Sequence, residues 1–358
     1  MALYDMYKHE RSAEVYRLNN HTGIPRAAIT GLGVYLPSKI LTNDDLAQFV
    51  DTNHEWIVQR TGIQQRRIAA PEETTLSMGV AAARKALASA QLPADRLDLI
   101  ICATLIPEHP FPSTACLAQE ALGATRAGAF DLSAACAGFV YALSVARAYI
   151  VSGMAENVLV IGSETMSRVI DWQDRSTCVL FGDGAGAVVV QAQRGDQWAR
   201  GEIESVVLMS DGAKGDYLKI PAGGSKAPAS LETVEARQHF IKMNGSEVFK
   251  AAVRGMADAC LQAVMQADLR LEDVDLMVAH QANSRIIEGV QRRLNLPDSK
   301  VFQNVQRYGN TSGASIPIAL YDAVNDRALR PGMRVAVAGF GGGFAWGAAI
   351  IRWGSIAI

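Results

Sequence analysis

Cysteine is scarce in this 358-residue chain and none of it is paired: positions 102, 116, 136, 178 and 260 are scattered, with no CxxC. That excludes a disulfide framework or a zinc cluster and fits a reducing, cytoplasmic compartment. No apolar run reaches the length of a membrane span, which excludes insertion into a bilayer. Met1 to Asn20 is polar and lacks the apolar segment of a secretory signal, so 1–25 reads as an appended arm. An excess of positive charge is missing too. With 34 basic against 36 acidic residues the net charge is -2, and no general attraction to nucleic acid follows. What is present is a 49% hydrophobic content and 31 glycines, the composition of a well-buried α/β enzyme with room for two core-forming units or one large one.

Taken in order, Arg26 to Pro37 reads as a strand entering a glycine-rich turn at Gly31 and Gly33. It lacks the third glycine and following helix of a dinucleotide site. Thr42 to Leu46 carries helix-capping residues. The stretch Asp51 to Ile63 combines Trp56 with Arg60, Thr52 and Thr61. It is either a surface helix with a packed tryptophan or a stacking face with a phosphate-binding cation. A helix from Met78 to Leu92 precedes the apolar strand Leu97–Thr104, and a helix from Met256 to Leu269 precedes Val274–His280 in the same form. Val158–Gly162 is echoed by Val335–Gly339. Two echoes in one order point to a duplicated βα unit, with halves at 26–195 and 196–358 and a polar seam near 193–201. Phe181 to Ala187 reads as glycine turns before a buried strand, and 210–240 as a long surface excursion.

Three residues are candidates to carry chemistry, though a lone histidine such as His280 is more often structural and an asparagine such as Asn310 is a favoured turn and cap residue. Cys136 sits among small residues in Asp131-Leu132-Ser133-Ala134-Ala135-Cys136-Ala137-Gly138-Phe139, between a strand and a helical pattern. A helix N-terminus there would favour a thiolate; a buried structural cysteine fits the residues equally well. His280 ends an apolar strand and enters Gln281-Ala282-Asn283. Asn310 lies in Tyr308-Gly309-Asn310-Thr311-Ser312-Gly313-Ala314-Ser315, a turn leading into a helix. Gly341-Gly342-Gly343, after a buried strand, suits a backbone that approaches a ligand and donates N–H groups.

With AACAGF at Cys136, HQAN at His280, GNTSGAS at Asn310 and GFGGGF at Phe340, the chain from about Arg26 to Arg352 resembles β-ketoacyl-acyl-carrier-protein synthase III of the thiolase superfamily. The resemblance implies a thiolase-like duplicated α/β fold in five αβαβα layers, and a homodimer. It implies Cys136 as the nucleophile that takes an acyl group from acyl-CoA, its pKa lowered by the helix N-terminus. The N–H groups of Cys136 and Gly342 would form the oxyanion hole. His280 and Asn310 would stabilise the enolate left when malonyl-acyl-carrier protein loses CO2. Trp56 and Arg175 would sandwich the CoA adenine, Thr52, Arg60 and Thr61 would bind its nucleotide end, and Asn283 the pantetheine. Phe111 would reach across the dimer to cap the acyl pocket, its bulk implying a short starter such as acetyl. Phe181, Met166 and Phe340 would line that pocket; an ordinary core role suits those three equally. Lys250, Arg254 and Arg285 would meet the acidic carrier protein, while Arg292 and Arg293 fit a carrier contact or a solvated face alike. No metal or redox cofactor is implied, CoA thioester being a substrate.

Rival readings share these residues. A homologue in a polyketide or other side pathway would use another starter or acceptor. A cysteine thioester hydrolase would need His280 to deprotonate Cys136 and water to reach the acyl-enzyme. A non-catalytic relative would be expected to have lost one of the three.

Overall fold

Unbroken apolar runs such as Val158–Gly162 and Val335–Gly339 dictate strands buried on both faces, which need helices above and below. The computed structural model describes residues 23–195 and 201–358. The expected arm at 1–25 falls almost wholly outside them, as does most of the expected seam. One sheet contains β1 (Arg26–Tyr35), β2 (Leu99–Ala103), β3 (Gly128–Leu132), β4 (Asn157–Glu164) and β5 (Gly184–Gln193), in the order β1-β5-β4-β2-β3. The other contains β6 (Ile203–Ser210), β7 (Leu276–Ala279), β8 (Arg334–Gly341) and β9 (Ala345–Arg352), in the order β7-β8-β9-β6.

The two sheets repeat one plan. Parallel β2 and β4 continue into antiparallel β5 and β1; parallel β7 and β8 continue into antiparallel β9 and β6. The spacing is constant as well: β4 and β8 lie 177 residues apart (157 to 334, 164 to 341), as do the starts of β2 and β7 (99 to 276).

The main helices are α1 (His54–Thr61), α2 (Thr75–Ser89), α3 (Thr114–Leu122), α4 (Gly138–Val151), α5 (Gly245–Gln266), α6 (Ser284–Leu294) and α7 (Ser315–Asn325). α2 and α3 cover the outer face of the first sheet, α5 covers that of the second with α6 against it, and α4 and α7 lie between the sheets. This is the five-layered thiolase-like arrangement. Phe139, Leu143, Ile316 and Leu320 of the central layer are fully buried, each contributing roughly 2–3 kcal/mol by removal from water.

One local expectation changes. Gly31 and Gly33 form no turn but lie inside the continuous strand β1, where α2 approaches closely. A Cβ on either would stand 2.2 Å from the Ala86 carbonyl oxygen or 2.4 Å from that of Ala82.

Candidate active site

Cys136 occupies a sharp corner. From β3 the chain enters a 3-10 turn, Ala135–Ala137, and then α4. Ala135 has a φ of +46°, a conformation costly for a residue with a Cβ, and it turns Cys136 toward the second sheet. There β8 runs against the corner. A Cβ at Gly341 would lie 2.5 Å from the Cys136 nitrogen, and one at Gly339 would lie 3.3 Å from the Cys136 carbonyl oxygen. These two glycines are therefore required by protein backbone rather than by a ligand. Among the described residues, no backbone carbonyl accepts a hydrogen bond from the Cys136 or Gly342 N–H.

Cys136 is 6% exposed. Burial pushes it up to about 12, against a hydrogen bond to Ser312, while the charge of Glu164 pushes the same way as burial. This corrects the expectation of a lowered pKa in the resting protein. The N-terminus of α4 favours a thiolate, yet it acts on a group that has lost its water.

His280 follows β7 and is 2% exposed. Burial lowers its imidazole to about 3, so the ring is neutral at physiological pH. Nδ1 lies 2.6 Å from the Ser315 hydroxyl. The Gln281 N–H donates to that oxygen at 3.4 Å; when the Ser315 hydroxyl donates to Nδ1, Nε2–H is the donor left for the cavity. Asn310 is held by its backbone to Leu180 and Gly182. Its Oδ1 accepts the Ser312 N–H at 2.9 Å, which leaves the Nδ2 protons available.

Sequence reasoning missed three polar groups. Ser315 and Ser312 lie in the GNTSGAS segment but carry no pattern that assigns a role. Glu164, at the end of β4, is completely buried, and burial pushes it up to about 7 against hydrogen bonds from Ser312, Leu105, Thr104 and Gly313. Ser312 sits between this carboxyl and Cys136, 2.9 Å from the first and 3.4 Å from the second.

Cys136, His280, Asn310 and Gly342 line one cavity of about 930 Å³. The expected acyl-pocket residues Met166, Phe181 and Phe340 line it too, and so do Trp56, Arg60, Thr61, Asn283, Lys250 and Arg285. Thr52, Arg175, Phe111 and Arg254 do not. Phe111 is 85% exposed, away from the cavity of its own chain. The Arg175 guanidinium stands 5.1 Å from the centre of the Trp56 ring and donates to the Asp51 carbonyl. The two are in direct contact, so an adenine between them requires Arg175 to move off the ring. The Thr52 hydroxyl is buried without a partner. That of Thr61 is used on the Ile57 carbonyl and the Ile63 N–H. Asn283 caps α6 through Oδ1, with Nδ2 unspent.

The 210–240 excursion proves to be more than surface. Leu218 and Lys219 pair with Lys242 and Met243, and Leu218, Ile220, Ile241 and Met243 supply an apolar cavity wall. Arg237 and Lys242 pin this wall to Asp171 and hold that carboxyl well below the usual carboxylate range, the Arg237 hydrogen bond being the larger cause. The exposed cations are partly neutralised. Lys250 meets Glu247 at 2.9 Å, Arg254 meets Asp258 at 3.5 Å, Arg292 meets Glu288 at 3.6 Å, and Arg293 meets Asp258 at 3.1 Å. Arg285 stacks on Phe249. Lys219, a cation not foreseen, joins Lys250 and Arg285 at the cavity. Among the described residues, no group of three His, Cys, Asp or Glu side chains is arranged to hold a metal, and no helix is long and apolar enough to cross a membrane.

Known proteins match this arrangement along nearly the whole chain. Residues 130–212 match the family model for 3-oxoacyl-[acyl-carrier-protein] synthase III, and 264–353 match that for its C-terminal part. The chain is 51% identical over 326 residues to β-ketoacyl-[acyl-carrier-protein] synthase III of Symbiobacterium thermophilum, covering 91% of this chain and 98% of that one. The crystal structure of 3-oxoacyl-[acyl-carrier-protein] synthase III from Aquifex aeolicus is 47% identical, with a TM-score of 0.83 over 91% of this chain and all of that one. The priming β-ketosynthase of a polyketide biosynthetic pathway is 36% identical, with a TM-score of 0.84 over 93% and 98% of the two chains. On sequence identity over its length, on fold and on the residues gathered at its cavity, this chain belongs to the 3-oxoacyl-[acyl-carrier-protein] synthase III family.

Proposed function

We propose that the chain condenses an acyl-CoA starter, acetyl-CoA in the first instance, with malonyl-acyl-carrier protein, yielding a 3-ketoacyl-carrier protein, CoA and CO2 at the start of fatty-acid synthesis. The observation that carries this reading is the convergence of one thiol, one neutral imidazole, one free carboxamide donor and two unengaged backbone N–H groups on a single apolar cavity.

Cys136 attacks the thioester carbonyl and holds the acyl group, while the Cys136 and Gly342 N–H groups stabilise the oxyanion of the tetrahedral intermediate. Malonyl-carrier protein then enters and loses CO2. The His280 Nε2–H and the Asn310 Nδ2–H supply donors to the enolate oxygen, and the enolate carbon attacks the acyl-cysteine. Decarboxylation itself generates the carbanion, so this reading gives no role to a metal or redox group. A histidine with its proton directed to Nε2 serves as donor rather than base, which favours transfer over hydrolysis.

Trp56, Arg60, Thr61 and Asn283 mark the CoA path along the cavity, with Arg175 and Thr52 at its outer end. Met166, Phe181 and Phe340 bound the acyl end. Lys250 and Arg285, with Arg254 beyond, offer positive charge to an acidic carrier. Exposed Phe111 fits a homodimer in which it caps the partner's acyl pocket. The halves 26–195 and 196–358 act as one cytoplasmic enzyme.

Intact-protein mass after incubation with acyl-CoAs of increasing length, with Cys136→Ala as control, tests this. A Cys136 adduct from acetyl-CoA that malonyl-carrier protein discharges as a 3-ketoacyl product is the expected result. Loading by long or unusual acyl groups alone moves the chain to a side pathway, and no loading by any acyl-CoA overturns the reading.

A further inference from the structure

An enzyme whose buried thiol rests near 12 needs somewhere to send its proton before it can attack. The structure provides one route. The Cys136 thiol donates toward the Ser312 hydroxyl at 3.4 Å, and that hydroxyl donates to Glu164 Oε1 at 2.9 Å. Ser312 is fully buried, has a φ of +48°, and its N–H is fixed by Asn310. Glu164 is completely buried, and its hydrogen bonds come from Thr104, Leu105, Ser312 and Gly313. No arginine, lysine or histidine is bonded to it among the described residues. The titratable groups facing it are the Cys136 thiol from the corner and the Cys102 thiol on β2, which burial pushes well up and out of the working range. A carboxyl in such a place has no cation to answer to, and its one link to chemistry runs through Ser312.

We infer that Ser312 and Glu164 form a proton relay for Cys136: Ser312 is a catalytic residue passing the thiol proton, and Glu164 is a positioning residue that stores it. The inference rests on the synthase reading above. As Cys136 attacks, its proton moves to Ser312 Oγ while the Ser312 proton moves to Glu164 Oε1. A bond forms between Sγ and the thioester carbon. The carbon–sulfur bond to CoA then breaks with its electron pair on the CoA sulfur, which takes a proton from solvent. The acyl-enzyme therefore holds a neutral Glu164. When the condensation product leaves, the released Cys136 thiolate recovers the proton from Glu164 through Ser312. In the free enzyme one buried negative charge is shared between thiol and carboxyl, as two groups this close require; in the acyl-enzyme both are neutral, the charge having left on the CoA sulfur. The carboxyl is neutral when the malonyl carboxylate enters. Burial, by pushing Glu164 up to about 7, suits it to the task.

The test is the rate of iodoacetamide alkylation at Cys136 in the full chain from pH 5 to 10, read by peptide mass so that exposed Cys116 does not interfere. Acyl-enzyme formation is followed beside it. The wild-type rate should rise through an inflection near pH 7. Glu164→Gln should remove that inflection and lower both rates at pH 8 on the order of 100-fold. Ser312→Ala should do the same without changing the buried charge, and carries the test should Glu164→Gln fail to fold. A purely structural Glu164 predicts the opposite sign, because removing its negative charge makes the thiolate easier to form. Rates unchanged or raised in the folded variants overturn the relay. Alkylation needs no acyl-CoA, so a failed relay is distinguishable from a failed synthase reading, in which the wild type would take no acyl group at all.

Discussion

Ser315, whose hydroxyl lies 2.6 Å from His280 Nδ1, is the residue on which the proposed donor role of that imidazole depends. In the proposed mechanism its hydroxyl donates to Nδ1 and so keeps on Nε2 the proton that the enolate needs. Ser315→Ala should slow condensation about tenfold, in keeping with ~1–1.5 kcal/mol for one hydrogen bond, while leaving acyl loading of Cys136 intact. Measuring loading by mass and condensation by product release separates the two, and an equal loss in both would put Ser315 in the fold rather than in the tautomer. At this scale the sequence is a partial guide. Cys136, His280 and Asn310 announce themselves because each is a chemically distinctive side chain set in a motif. Glu164 does not, because a carboxylate after an apolar strand looks like any solvated strand end. Its environment comes from Thr104, Leu105, Ser312 and Gly313, as many as 149 positions away.

At the scale of elements, the close approach of β8 to the cysteine corner decides whether the site assembles. Gly341→Ala would set a methyl group 2.5 Å from the Cys136 nitrogen and 2.9 Å from the Ala135 Cβ. Neither neighbour is a flexible side chain, so strand or corner must shift. The expected result is a destabilisation of about 1–3 kcal/mol, as for other overpacked sites, with a larger fractional loss of acyl loading; thermal melting and intact mass measure each. A variant with an unchanged melting temperature and full loading would show that the corner yields freely. Ile203–Ser210 and Ala345–Arg352 were not read as strands, but most of the other strands were legible from apolar runs. That Gly31, Gly33, Gly339 and Gly341 serve backbone contacts was not, because a close approach is a property of two elements and each appears in the sequence alone. The wall at 218–243 was hidden for a related reason: Leu218, Ile220, Ile241 and Met243 become one apolar surface only after the ribbon pairs.

For the whole molecule, two buried groups pull stability in opposite directions with pH. His280 is lowered to about 3 in the fold, so between about 3 and its unfolded value near 6.5 the unfolded chain binds a proton that the fold refuses, and stability falls as pH falls. Glu164 is raised to about 7, so between its unfolded value near 4.3 and 7 the fold holds a proton that the unfolded chain releases, and stability falls as pH rises. Across about pH 4.5 to 6.5 the two trends offset. Each variant should unmask the other: His280→Gln should gain stability relative to wild type on going from pH 7 to pH 5, and Glu164→Gln should lose it, each by about 2 kcal/mol. Urea unfolding at the two pH values measures this. Parallel pH dependence in wild type and both variants would mean that neither group titrates in that range.

The constant separation of 177 residues reaches beyond strand pairing. It carries Ala135, with its φ of +46°, onto Ser312, with its φ of +48°, and Cys136 onto Gly313. Gly162 faces the turn at Gly313, and Gly339, its counterpart, faces the turn at Cys136 and Ala137. Such reciprocity, in which each partner offers the other the same surface, is the rule of contact between two identical copies related by a two-fold axis. The interior of this chain therefore has the form of a symmetric pair whose two members carry different side chains. One corner carries the Cys136 sulfur, and its twin carries the Ser312 hydroxyl 3.4 Å from it.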